Sequence, residues 1–324
     1  MPKDLIHFKV AMQTADRLAD TRFGPDLSRN TPGLLLGAVF HDTLFYGVTK
    51  STRPLAGLAD RLHGADGQDT YGLIRLQAEH AAIAGDRGLA AALLVGMASH
   101  LFADAAMHPL VWHLSGHYYA DKPGEKTLAR QHHRALESLM DMVFCPKMPG
   151  RPLFLIRNLL RSTGPGLFDA LPVDRLADLA NVPADKARPG LQTAFRIHAG
   201  FQAAYPITPL ARLLFALMPA LPNAAREIAA LFYAPQLMAQ ADRLRGAVDF
   251  RHPVTGEAVT ITIPDMMDQA ADRAADLCQR LEQAVFEGQK PDLPEDGPSM
   301  DAGLSGTSAD AMRYFADPSF PELS

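Results

Sequence analysis

Two phrases in this chain place metal-binding residue types at helical spacing: His100-x3-Asp104-x3-His108 and His133-x3-Glu137. Residues four apart on an α-helix share a face, with Cβ atoms roughly 5–6 Å apart. One divalent cation can therefore take two such side chains from a single helix. Two helices that each do this and face one another form a metal site in a bundle, an arrangement suited to metal-assisted hydrolysis. The stretch around His100 and Asp104 is otherwise nearly uncharged. A buried carboxylate is costly unless it is paired or metal-bound, so a metal site explains this pair better than a hydrogen-bonded core histidine does. His133 and Glu137, taken alone, read as a solvated helix face beside Arg130 and Arg134, and gain weight from the first phrase. Asp141 extends the second series or pairs with Arg134 or Lys147, while His132 faces another way, toward solvent.

Further candidates lie upstream. His41-Asp42 closes the apolar run 33–40, either as a simple helix end or with Asp42 as a ligand or general base. His63 sits in a glycine-rich turn. His7 lies among apolar neighbours, where a satisfied core histidine is as good a reading as a ligand. His80, His113 and His117 lack partnered spacing and read as surface or supporting residues. Ten of the twelve histidines fall between His7 and His133, which assigns the chemistry to the first half of the chain.

The elements that must position these residues are helical. Apolar periodicity predicts helices over 4–21, 55–62, 72–84, 88–107 and 126–144, then 153–162, 191–204, 208–218, 223–246 and 265–287. Proline disfavours the α conformation in the residue before it, so Pro109 places His108 at or just past the end of its helix. Alternation at Val248–Phe250 and Ala258–Ile263 predicts one strand pair. The fold class is mostly α: a multi-helix bundle with a metal cluster in the N-terminal half, plus a short β-hairpin near 248–263. The stretch 208–237 reads as a core connection bent by Pro219 and Pro222, with a lid or interfacial lipid contact as the other reading. The tail after Lys290, rich in Pro, Asp, Gly and Ser, reads as poorly ordered.

Bulk properties narrow the function. The chain has 324 residues, 48% of them hydrophobic, and a net charge of -5. That charge argues against a general electrostatic grip on nucleic acid or anionic lipid. Cys145 and Cys278 are the two cysteines, far apart, and read as buried free thiols rather than a disulfide framework or thiolate zinc site. The N-terminus lacks the apolar stretch of a secretory signal. No run approaches the ~18 consecutive apolar residues of a membrane span. The expectation is a cytoplasmic protein without a transmembrane segment.

Taken together, Gly37-Ala38-Val39-Phe40-His41-Asp42, Gly96-x3-His100-x3-Asp104, His108-Pro109 and His133-x3-Glu137 resemble the motifs of the zinc-dependent phospholipase C and P1-type nuclease superfamily. His41 stands where proline is common. The resemblance covers about residues 5–145 and implies zinc as cofactor, two or three ions. Asp42, His63, His100 and Asp104 would hold one. His108, His133 and Glu137 would hold a second. His7 and Asp104, with the chain's own N-terminal amine and carbonyl, would hold a third, making Asp104 a bridge. Secreted members present a processed tryptophan N-terminus where this chain begins Met1-Pro2, so two metals, or three with water replacing the terminus, both fit. Asp42 would orient or deprotonate the attacking water. Manganese or iron suit the same N and O donors.

The implied organisation is a phospholipase C-like metal-binding helical region over 1–150, an additional helical region over 151–290 packed on it, and the tail 291–324. The implied activity is metal-dependent hydrolysis of a small-molecule or phospholipid phosphodiester, with peripheral membrane contact. An HD-domain-type metal phosphohydrolase is the alternative. It would use His41-Asp42 and leave His108, His133 and Glu137 unexplained. A non-catalytic helical binding protein with a relict metal site is the third reading.

Overall fold

The computed structural model describes residues 3–49 and 53–323. Among them are sixteen α-helices: α1 (Asp4–Arg17), α2 (Gly24–Arg29), α3 (Thr31–Ala38), α4 (Phe40–Thr43), α5 (Arg53–Leu62), α6 (Tyr71–Ile83), α7 (Arg87–Ser115), α8 (Pro123–Phe144), α9 (Ile156–Thr163), α10 (Val173–Ala180), α11 (Ala184–Ala204), α12 (Thr208–Leu217), α13 (Asn223–Ala229), α14 (Asp242–Arg245), α15 (Ile263–Arg280) and α16 (Glu282–Glu287). A two-stranded antiparallel sheet pairs β1 (Ala247–Arg251) with β2 (Ala258–Thr262), Ala247 opposite Thr262. The mostly α bundle with one hairpin is the fold class expected.

The spine of the bundle is α7, 29 residues long and buried along almost its whole length. A helix apolar on every side must be covered on every side; here α1, α3, α6, α8 and α15 surround it. By length and composition α7 could cross a membrane, but 94% of its apolar window is buried inside the protein. The Asp86 carboxylate accepts from the Leu89 amide and starts it.

Two glycines let α3 and α7 touch backbone to backbone. A Cβ on Gly96 would lie 2.1 Å from the Leu34 carbonyl oxygen, and one on Gly37 2.3 Å from the Leu93 carbonyl oxygen. Only glycine permits this approach. The contact brings the helix bearing His100 against the segment that leads into Asp42.

Several expectations need correction. Pro109 lies inside α7, so His108 is a helical residue and not one beyond the helix end. Proline removes one helical N–H, a local cost overridden by the burial of both flanking turns. The helix expected over 223–246 is broken: α13 ends at Ala229, Pro235 opens a short 3-10 turn, and α14 is four residues long. The helix expected over 265–287 divides at Leu281. The helix α10 was not anticipated. The stretch 208–237 is only partly core: Leu213 and Leu217 are 55% and 45% exposed, and Ile207 and Ile228 are exposed as well.

The largest correction concerns the tail. Residues 291–323 have little regular structure but are packed, with Leu293, Met300, Ala302, Ala309, Met312 and Phe320 buried. Composition suggested disorder because it counts side chains. The segment is held mainly through its backbone: the Pro298 carbonyl accepts from the Thr70 hydroxyl, the Ala309 amide donates to the Ala65 carbonyl, and the Ala316 and Phe320 amides donate to the His113 and Leu114 carbonyls.

Candidate metal centre

Helices α1, α4, α7 and α8, with the turn after α5, bring ligand-type atoms to one buried place. They form two groups, Asp42/His63/His100/Asp104 and His108/His133/Glu137, the atoms of each group all within 4.8 Å of one another. In the first, His100 Nε2 lies 3.1 Å from Asp104 Oδ2 and 3.5 Å from Asp42 Oδ1, and His63 Nε2 lies 3.4 Å from Asp42 Oδ1 and 3.8 Å from Asp104 Oδ2. In the second, Glu137 Oε1 lies 3.0 Å from His133 Nε2 and 3.8 Å from His108 Nε2. Zinc bonds of about 2.0–2.1 Å in a tetrahedron separate the donor atoms by ~3.3 Å. These separations scatter around that edge length.

Tautomers follow from the partners of the other ring nitrogen. His63 Nδ1 lies 2.7 Å from the Ala59 carbonyl, His100 Nδ1 2.8 Å from the Ala38 carbonyl, and His108 Nδ1 2.7 Å from the Met300 carbonyl. A carbonyl only accepts, so each Nδ1 carries the proton and donates it. For His63 and His108 this leaves Nε2 bare and aimed inward, the arrangement that orients metal-ligating histidines; His100 Nε2 points the same way, toward Asp104 Oδ2. His63 Nε2, His100 Nε2, His108 Nε2, Asp42 Oδ1 and both Asp104 oxygens are buried without a hydrogen-bond partner. Buried polar atoms are rarely left so, and a set of imidazole nitrogens and carboxylate oxygens converging on one another fits a divalent cation. The donor set therefore fits zinc.

Asp104 faces both ways. Its Oδ2 looks to His63 and His100, while its Oδ1 lies 3.7 Å from His108 Nε2 and 3.4 Å from His7 Nε2. His7 also lies 3.9 Å from Asp42 Oδ2 and stacks on His100 at 4.0 Å. It belongs to neither group but stands at the outer oxygens of both aspartates. The N-terminal amine and carbonyl invoked for a third ion fall on residues outside those described.

The electrostatics suit cation binding. Burial holds His7, His108 and His133 well below the ordinary histidine range, in the neutral form that ligates metals. Burial also opposes charge on His100, but Asp104 and Asp42 outweigh it and hold that ring up at about 9. Burial opposes charge on Asp42 too; the neighbouring rings of His100, His63 and His7 keep its carboxyl below the usual carboxylate range.

Other predicted residues lie elsewhere. His41 is buried and stacks on His100 at 4.7 Å, but belongs to neither ligand group. The HD-type alternative, which needs His41 and Asp42 as joint ligands, gains nothing from this position. His132 is not solvent-facing; it is buried, with Nδ1 donating to the Pro321 carbonyl. Asp141 pairs with neither Arg134 nor Lys147. It accepts from the Leu5 and Ile6 amides at 3.2 and 2.9 Å and from the Tyr233 hydroxyl at 2.6 Å, so it caps the start of α1 and ties the helix bearing His7 to α8. His80 and His113 bond to loop carbonyls away from both groups.

Sequence reasoning missed the residues that steady the ligands from a distance. His198 bonds Asp4 through Nε2 and Thr43 through Nδ1, each at 2.9 Å, and so holds the residue after Asp42. Asp301 places Oδ1 3.6 Å from His108 Nδ1, and burial pushes its carboxyl up to about 6. No local spacing signals either residue; both act across long sequence separations.

The family model for zinc dependent phospholipase C matches residues 6–171, a span that contains every one of these ligand-type residues. No curated protein and no solved structure matches the chain.

Proposed function

Since the chain belongs to the zinc-dependent phospholipase C family, we propose that it hydrolyses a phosphodiester with two or three zinc ions. Asp42, His63, His100 and Asp104 hold one, and His108, His133 and Glu137 a second. His7, with the outer oxygens of Asp42 and Asp104, serves a third. The observation that carries this reading is the set of buried, unpartnered Nε2 and carboxylate atoms whose far ring nitrogens are already committed to carbonyls. Bound zinc supplies Lewis acidity toward a phosphate oxygen and lowers the pKa of water.

The chain's own groups do the rest. Asp42 is the carboxylate of the first group with solvent access, its side chain 8% exposed against 0% for Asp104. Its lowered pKa keeps it ionised, which suits it to orient the attacking water as a hydrogen-bond acceptor. Trp112 and Tyr118 lie edge-on against His133 at 4.8 and 5.4 Å and exclude water from one side of the second group.

The substrate is a small-molecule or phospholipid phosphodiester. The exposed Ile207, Leu213, Leu217 and Ile228 support peripheral lipid contact. The segment that carries them is tied at one end by Tyr205 to Tyr46, and at the other by Glu227 to Arg134, beside Asp42 and His133 respectively. Its one charge between 207 and 225 is Arg212.

Elemental analysis of the purified chain is expected to find two or three equivalents of zinc; none would refute the metal reading. A panel of p-nitrophenyl phosphodiesters and phosphocholine esters tests the reaction class. Bound zinc with no turnover of any panel member would favour the relict-site reading instead. Sedimentation with phosphatidylcholine vesicles separates lipid from soluble substrates.

A further inference from the structure

The matched span ends at residue 171, yet a segment far beyond it reaches both ligand groups. Met300 touches each through its backbone: its amide donates to the His63 carbonyl at 2.9 Å, and its carbonyl accepts from His108 Nδ1 at 2.7 Å. The turn that presents it is closed by Ser299, whose hydroxyl accepts from the amides of Asp301 and Ala302 and whose carbonyl accepts from Gly303. Gly303, at φ +69°, lies against the Ala105 carbonyl, where a Cβ would come within 2.5 Å. That carbonyl is the one left without its helical donor by Pro109. The proline in α7 and the glycine in the tail thus fit one another, and seat Asp301, two residues before the glycine, behind the ring of His108.

Asp301 is buried, with Oδ1 3.6 Å from His108 Nδ1 and Oδ2 accepting from the Tyr119 hydroxyl at 3.4 Å. Charge counting gives it a task. The three carboxylates Asp42, Asp104 and Glu137 fall one charge short of balancing two divalent cations, and uncompensated charge is costly in a buried site. Asp301 is a fourth buried carboxylate, set beyond the imidazole of one ligand, where a negative group raises ligand basicity.

We propose that Asp301 is a positioning residue of the metal centre, which acts through His108 by setting a negative charge behind the ring that the Met300 carbonyl fixes and so balances the charge of the metal group; the C-terminal strap 298–303 is then a working part of the site. The proposal rests on the metal reading above.

The test is competition for zinc between a chromogenic chelator and full-length protein, in the wild type, Asp301→Asn and Met312→Ala. Met312 is buried further along the same tail, packed with Trp112, Ala302 and Ala309; it carries no charge and reports on how the packing of the tail, felt at His133 through Trp112, affects the site. Asp301→Asn is expected to hold one zinc equivalent about 10–100-fold more weakly, with the melting temperature of its metal-free form unchanged. Met312→Ala is expected to melt lower and keep wild-type zinc affinity. Wild-type affinity in Asp301→Asn overturns the proposal, as does an equal loss of affinity in Met312→Ala. If the wild type itself binds no zinc, the metal reading falls and takes the proposal with it.

Discussion

The group around Asp42 and His100 and the group around His133 and Glu137 both combine histidines with carboxylates but are supported differently. The first is held from within the core. Its helices meet through Gly37 and Gly96, and its rings are fixed by the Ala38 and Ala59 carbonyls, all inside the first 104 residues. The second is held from outside. His133 is packed by Trp112 and Tyr118, and the ring of His108 is fixed by a carbonyl 192 residues further along the chain. Asp104 joins them, one oxygen to each side. Similar ligand chemistry is thus supported differently: carbonyls of the core fix the rings of the first group, which the non-helical segment touches only at the His63 backbone, while that segment fixes the ring of His108 itself.

Four measurements would break or sharpen this contrast. Asp104→Ala removes the shared carboxylate and is expected to empty both groups, with hydrolysis falling by more than about 100-fold, beyond what loss of a supporting residue costs. Retention of one tightly bound ion would show that the groups do not share Asp104. Glu137→Gln should release one metal equivalent, measured by elemental analysis, and leave the other in place. Unchanged metal content would remove Glu137 from the site and break the division into two groups.

Gly96→Ala acts on the first group through packing. Its Cβ would meet the Leu34 carbonyl oxygen, so α3 and α7 must separate, at a cost of about 1–3 kcal/mol in chemical denaturation. Zinc should be lost from the first group before the second. Equal stability would mean that the helix contact is looser than the structure gives.

The smallest effect is a pH slope in the metal-free protein. His100 is held up at about 9 from an ordinary 6.5 by Asp104 and Asp42, against burial. A raised folded-state pKa favours the folded state fully below about 6.5, and that contribution is lost as pH rises through about 9. Metal-free wild type should therefore lose stability between pH 6.5 and 9, and His100→Gln should lose less. Zinc uptake at pH 7 should release protons, because the metal displaces the Nε2 proton that the raised pKa of His100 implies; a titration in weak buffer with no proton release would contradict the charge assigned to His100.

Much of this was legible in the residues themselves. The helical class, the hairpin, the buried cysteines and both i,i+4 pairs followed from periodicity and spacing, because helical hydrogen bonding is local and repeats every 3.6 residues. The motif phrases at Gly37–Asp42 and Gly96–Asp104 pointed to the family. What misled was local reasoning applied where tertiary contacts decide. Pro109 argued for a helix end, yet burial on both sides carries α7 through it. The Pro/Gly/Ser-rich tail argued for disorder, yet its backbone groups find partners on α6, α7 and α8 and in the turn around His63. Asp141 read as an extension of the His133 and Glu137 series or a partner of Arg134 or Lys147, yet it caps α1 from the neighbouring helix.

By itself, the sequence determined that His100 and Asp104, and likewise His133 and Glu137, share a helix face, since four residues span about one turn of any α-helix. It could not determine that His108 meets Glu137 while staying on the helix of Asp104, that His7 stacks on His100, or that Asp301 stands behind His108. Those placements depend on the angle and closeness at which whole helices pack, which are set by burial and backbone contact over the entire core, and on a strap whose 192-residue reach to His108 leaves no trace in local spacing.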